Sequence, residues 1–285
     1  MGMISPFISA YAVKLGASSS EMGWFQSSAN LSNNVMQVFW GRLSDRKGRR
    51  VPFLVLGNLI IAILWIPMMF VTNASQLIIL VAVQALLGSM ATPTWTALIG
   101  DLVPSFKLGR TSASISLWAS VGSLAATLIS GLIMVSVGGS LQEMFFIPFI
   151  GAIICGLISA FIMLQVKENK NKSSSNEKHL FSDVFEIFVN ARKSQDFMRY
   201  SVVKGIFTFF MSISWPLFSI TLIEVLQASM LEIALLSVVQ STVTIVFQRR
   251  IGKLADTLGR KPLLVLFRFT LVSVPFAYAF APSVY

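Results

Sequence analysis

Runs of roughly 20 consecutive apolar residues fill most of this chain, and no other feature constrains its fold as strongly. Hydrocarbon offers no water to a backbone amide, so a run of that length crosses a bilayer as a helix whose hydrogen bonds are all internal. Such runs lie near 22–40, 51–72, 76–99, 112–138, 144–166, 198–224, 231–250 and 262–281. A ninth, at 1–15, comes first in the chain, is short and begins abruptly. It lacks the basic start of a signal peptide, and Pro6 breaks the myristoylation pattern. Only 12% of the residues are charged, about half of what a soluble domain carries. A water-soluble globule is excluded, and ordinary Gly and Pro counts exclude a disordered or collagen-like chain. The fold class is therefore all-α integral membrane, with about nine transmembrane helices.

The net charge of +10 suits nucleic acid only if it gathers on one soluble face. It does not. Arg42, Arg46, Lys47, Arg49 and Arg50 follow the second span, and Lys107 and Arg110 the fourth. Lys167 to Arg199 surround the gap before the seventh, and Arg249, Arg250, Lys253, Arg260 and Lys261 follow the eighth. The other connections hold Lys14, Glu21, Glu143, Glu224 and Glu232. This alternation is the positive-inside pattern, which places the basic loops in the cytoplasm and the chain in a cell membrane. The bilayer is the expected partner, and nucleic acid is not.

The chain also repeats itself. Leu15, Ala17, Ser18 and Glu21 recur as Leu226, Ala228, Ser229 and Glu232, an offset of 211 residues. At the same offset Gln37 meets Gln248, and Gly41, Leu43, Asp45, Gly48 and Arg49 meet Gly252, Leu254, Asp256, Gly259 and Arg260. Beyond these the identities stop, and residues 54–56 match 265–267 only in being apolar. Both copies start with an outward span, so this is a parallel repeat of like-oriented halves, which meet at a central cavity. The expected organisation is a six-helix bundle over 1–166 with its first helix clipped, a cytoplasmic linker over 167–196, and an incomplete second bundle over 197–285 holding helices seven to nine.

The repeated loop carries a motif. "GRLSDRKGRR" at 41–50 resembles the signature loop of the major facilitator superfamily, and "GKLADTLGRK" at 252–261 its degenerate second copy. Gly41 admits close approach of another helix. Asp45 suits backbone N–H groups or an arginine, Gly48 permits a turn, and Arg46, Arg49 and Arg50 supply fork-shaped donors. Such bonds contribute about 0–1 kcal/mol each when exposed, so a network biases two conformations without locking one. The resemblance implies a gating set of Gly41, Asp45, Arg46, Gly48, Arg49 and Arg50, with Gly252, Asp256, Gly259 and Arg260 in the second copy. It also implies that the glycine packs on an eleventh span, that the Asp holds the outward-facing state, and that Asp101 is the acidic partner at the cytoplasmic end of span four.

Polar groups within the spans supply the remaining candidates. Span two carries Ser27, Asn30, Asn33, Asn34 and Gln37 mostly on one face, and span eight repeats the stripe as Ser237, Ser241, Thr244 and Gln248. Such a stripe lines a pathway or bonds helix to helix across the seam, and the second use is favoured. Lys204 and Arg268 lie about two turns into spans seven and nine, where snorkelling to the cytoplasmic side competes with facing a cavity. Tyr11, Trp95 and Trp215 fall in spans that border the cavity in the resembled family, and Pro93 and Pro216 are placed to bend spans four and seven.

The resemblance implies a secondary active transporter that moves a small solute by alternating access, coupled to a proton, sodium or solute gradient. The alternative is a non-transporting relative or an inactive truncated fragment. No span holds a deep carboxylate, span four lacks the arginine of many drug–proton antiporters, and span five has Gly122 and Gly131 but no Gly-Pro-rich motif. These absences argue against drug–proton antiport specifically. No catalytic motif, cofactor or metal is expected: His179 stands alone in the linker and Cys155 is the single cysteine.

Overall fold

The computed structural model describes residues 2–104, 107–166, 168, 194–258 and 260–280, without the side chains of 32, 33, 109, 110, 248, 249, 251–253, 255–258, 260 and 261. The linker, with His179, lies outside the described residues except at 168 and 194–196, as does Gly259. The described secondary structure is helical throughout. In chain order the helices are α1 (Ile8–Lys14), α2 (Ser19–Lys47), α3 (Val51–Met68), α4 (Ala74–Gly88), α5 (Ala91–Leu102), α6 (Leu108–Val137), α7 (Leu141–Leu164), α8 (Gln195–Ile220), α9 (Met230–Leu258) and α10 (Arg260–Phe280). A π turn, Thr221–Val225, closes α8. Among the described residues seven helical stretches are long and apolar enough to cross a bilayer, with α4 and α5 counted as one, Ala74–Leu102. Helix α2 has the length, but its serines and asparagines keep it out of that set; α1 is only seven residues long.

Several boundaries follow from local chemistry. Three helices begin on a serine whose side chain meets the backbone three residues on, while a glutamate there reaches back: Ser18 with Glu21, Ser140 with Glu143, and Ser229 with Glu232. These capping boxes satisfy amides that a helix start leaves without partners. The predicted fourth span is divided. Pro93 has no N–H and its ring crowds the carbonyl four residues back, at Ser89, where α4 gives way to α5. The motif after span two is not wholly a loop, as the sequence reading has it. Residues 41–47 form the last turns of α2, and the chain leaves the helix only at Gly48, left-handed at φ 59°. Charged side chains there are no obstacle to helix once the rod has left the apolar layer, and glycine is the residue that ends it without a Cβ penalty.

Packing divides into two apolar clusters. The larger one gathers around α1, whose Tyr11 is fully buried against Phe145 and Phe149 of α7, with ring centroids 4.5 and 5.9 Å away. Trp65 of α3 closes the same group on Phe149 at 5.7 Å. The smaller cluster lies at the opposite end of α3, where Val51, Leu54 and Val55 meet Leu98 of α5 and Ala160 of α7. It forms the floor beneath the basic loop. Helices α6 and α9 pack on each other, and Gly131 makes that crossing close: a Cβ there would come within 2.6 Å of the Ala234 Cβ.

Candidate functional site at the basic loop

The short turn between α2 and α3 brings three helix ends together. Arg50 precedes α3, and its guanidinium donates to Asp45 in the last turn of α2 at 2.7 Å. The same group reaches Asp101 at the end of α5. One fork-shaped donor thus spans two carboxylates from different helices, a use of arginine that a lysine point charge does not reproduce. Burial opposes the charge on Arg50 most strongly, yet the hydrogen bonds and proximity of Asp101 and Asp45 outweigh it and hold the guanidinium above its ordinary pKa. The cluster is only partly shielded: the Asp45 side chain is 62% exposed, that of Asp101 31%, and that of Arg50 18%. Such a bridge is strong enough to favour one arrangement and weak enough to open.

The other motif residues divide by role. Gly48 provides the left-handed exit, its N–H donating to the Asp45 carbonyl at 3.2 Å. Gly41 faces Pro93 of α5, where a Cβ would sit 3.4 Å from the proline Cβ, an ordinary contact. Arg46 and Arg49 are exposed. Ser44 is fully buried below them. A third acid at this cluster escaped the sequence reading. Glu168, just past α7, accepts the backbone N–H groups of Arg50 and Val51, the latter at 3.1 Å. Its place in a polar stretch more than 100 residues away gave no local signal. The capping boxes also went unread, although the Ser-x-x-Glu spacing announces each of them. In the second copy the backbone of Gly252 and Asp256 lies in α9 and that of Arg260 begins α10; their side chains, and that of Gln248, are outside the described set.

The membrane-level candidates are scattered. Asn30 and Asn34 are exposed and Gln37 half-buried. Tyr11 is core, and Trp95 is half-buried against the smaller cluster. Trp215 is 53% exposed beside Phe218, which stacks on Tyr278 at 4.5 Å. Lys204 and Arg268 come together. They line one cavity of about 880 Å³ between α8 and α10, shared with Asp196, Arg199 and Tyr200. The Arg268 guanidinium lies 4.1 Å above the Phe207 ring, a cation–π contact.

A family model described as Major Facilitator Superfamily matches residues 1–285. The chain belongs to that superfamily. Among curated relatives it is 33% identical to "Multidrug resistance protein MdtG" of Proteus mirabilis (strain HI4320) over 67% of the chain and 47% of the relative. It is 27% identical to the protein of that name from Salmonella arizonae (strain ATCC BAA-731 / CDC346-86 / RSK2980), over 98% of the chain and 69% of the relative. The chain thus spans about half the length of the first relative and about two thirds of the second. A crystal structure of the nucleoside transporter NupG shares the fold with a TM-score of 0.59 at 16% identity, over 90% of this chain and 64% of that one. The superfamily member is a multi-pass membrane protein of a transporter family, and its described residues hold seven helical stretches of spanning length and polarity where its apolar runs predict about nine.

Proposed function

We propose that this superfamily member is a secondary active transporter that moves a small organic solute across the cell membrane by alternating access, with its basic loops in the cytoplasm. Residues 1–166 and 197–285 act as two rocking units joined by the 167–196 linker. The observation that carries this reading is Arg50 held between Asp45 and Asp101 at the ends of α2 and α5. A partly exposed bridge between three helix ends is what a reversible latch requires. Asp256 and Arg260 fill the corresponding role in the second copy. An ion or solute gradient, proton or sodium, supplies the driving force, and no enzymatic step is involved.

Drug-like amphipathic compounds are the cargo class that the relatives named for multidrug resistance support. The deep carboxylate and the span-four arginine that the sequence lacks therefore bear on how coupling is achieved, not on the choice of solute. The test is flux of a panel of lipophilic dyes through the protein reconstituted in liposomes with an imposed ion gradient. Gradient-dependent dye movement is expected, slowed by Asp45→Asn with membrane insertion unchanged. Full-rate flux in that variant removes Asp45 from the latch, and dye movement that ignores every gradient removes secondary transport.

A further inference from the structure

We infer that Glu168 positions Arg50, and that the start of the linker is thereby a working part of the latch. Helix α3 starts with no side-chain cap of its own. Arg50 stands at its cap position, and its guanidinium, which has donors and no acceptor, cannot cap the helix and goes instead to Asp45 and Asp101. Val51 follows, and then Pro52, which has no N–H to offer. The first two backbone donors of α3 are therefore those of Arg50 and Val51, and Glu168 takes both, one with each carboxylate oxygen. A carboxylate at a helix start gains from the bonds and from the positive end of the helix dipole. Beneath it Val51 is packed with Leu54, Val55 and Leu98, so the first turn of α3 is held from both sides.

The consequence lies in reach. Arginine bridges two carboxylates on different helices only if its own Cα is fixed, because each added freedom of a long side chain costs entropy when both bonds form. Glu168 fixes that Cα. It lies only four residues beyond Leu164, where α7 ends, so the clamp ties the end of α7 to the start of α3. The functional weight of the clamp rests on the carrier reading; the clamp itself is measurable without any transport.

The experiment uses the whole chain in phospholipid nanodiscs and two mass-spectrometric readouts. Amide hydrogen exchange across Asp45–Leu54 reports the clamp, and carbodiimide labelling of Asp45 and Asp101 reports whether Arg50 still covers them. Glu168→Ala is expected to speed exchange at Arg50 and Val51 about tenfold and raise labelling of both aspartates about threefold, with Glu168→Gln between it and the parent. Arg50→Ala alone raises the labelling, and adding Glu168→Ala to it raises labelling no further. Three results overturn the inference: exchange unchanged in Glu168→Ala, faster exchange with aspartate labelling unchanged, or full additivity in the double variant. The second and third reduce Glu168 to a structural cap. Absence of dye flux in the parent protein, with these readouts as expected, counts against the transporter and not against the clamp.

Discussion

At the scale of single residues, the arrangement around Arg50 depends on shape as much as on charge. A lysine at that position keeps the positive charge but presents a point donor, so it pairs with Asp45 or Asp101 and not both. Loss of one partly exposed pair is about 1 kcal/mol, so Arg50→Lys is expected to slow dye flux about fivefold. Restoration of full flux by lysine refutes the two-carboxylate bridge. At the other end of α2, Glu21 receives the Ser18 backbone N–H and the Ser75 and Ser18 hydroxyls, which hold its pKa below the ordinary carboxylate range. The folded value being the lower one, its contribution to stability is present above the unfolded carboxylate pKa and disappears as pH falls through the folded value. Thermal unfolding of Glu21→Gln against the parent checks this. The difference in midpoint is expected at neutral pH and absent in strong acid; a difference independent of pH contradicts it.

Individual helices show which parts of the fold were legible beforehand. Apolar runs fixed the rods because bilayer thickness sets their length, and Pro93 marked the place where span four divides. The far end of α2 was harder. Polarity in "GRLSDRK" suggested a loop, whereas a helix continues into water until a residue such as Gly48 stops it. The place where arginine meets Asp45 was visible in the motif, but the choice of Arg50 over Arg46 and Arg49 depends on where α5 ends, which no local pattern encodes. Glu168 was invisible for the same reason. The α6–α9 crossing provides a test at this scale. Gly131→Leu adds a side chain where even a Cβ meets Ala234 at 2.6 Å, so it is expected to force the two helices apart. The cost is about 2 kcal/mol or more, seen as a lowered thermal midpoint, and an unchanged midpoint shows that the crossing is looser than described.

For the whole molecule, the repeat makes a topological demand. If the halves are oriented alike, the turn after α2 and the end of α9 lie on the same side of the bilayer. Replacing Cys155 by serine gives a cysteine-free background, since the chain has a single cysteine. New cysteines at Gly48 and Leu258 are then expected to react with a membrane-impermeant maleimide from the same face; reaction from opposite faces defeats both the parallel repeat and the paired latches.

Helix α2 runs unbroken for 29 residues, about 43 Å, longer than the roughly 30 Å thickness of a bilayer's hydrocarbon. Its final turns are a stiff pointer, with the exposed Asp45 carboxylate near the tip. A tilt of about 5° about the capped Ser18 end sweeps that tip through about 4 Å, further than any hydrogen bond can stretch. Under the proposed transport cycle, a small change of angle along the rod would be amplified into the making or breaking of a contact at its tip.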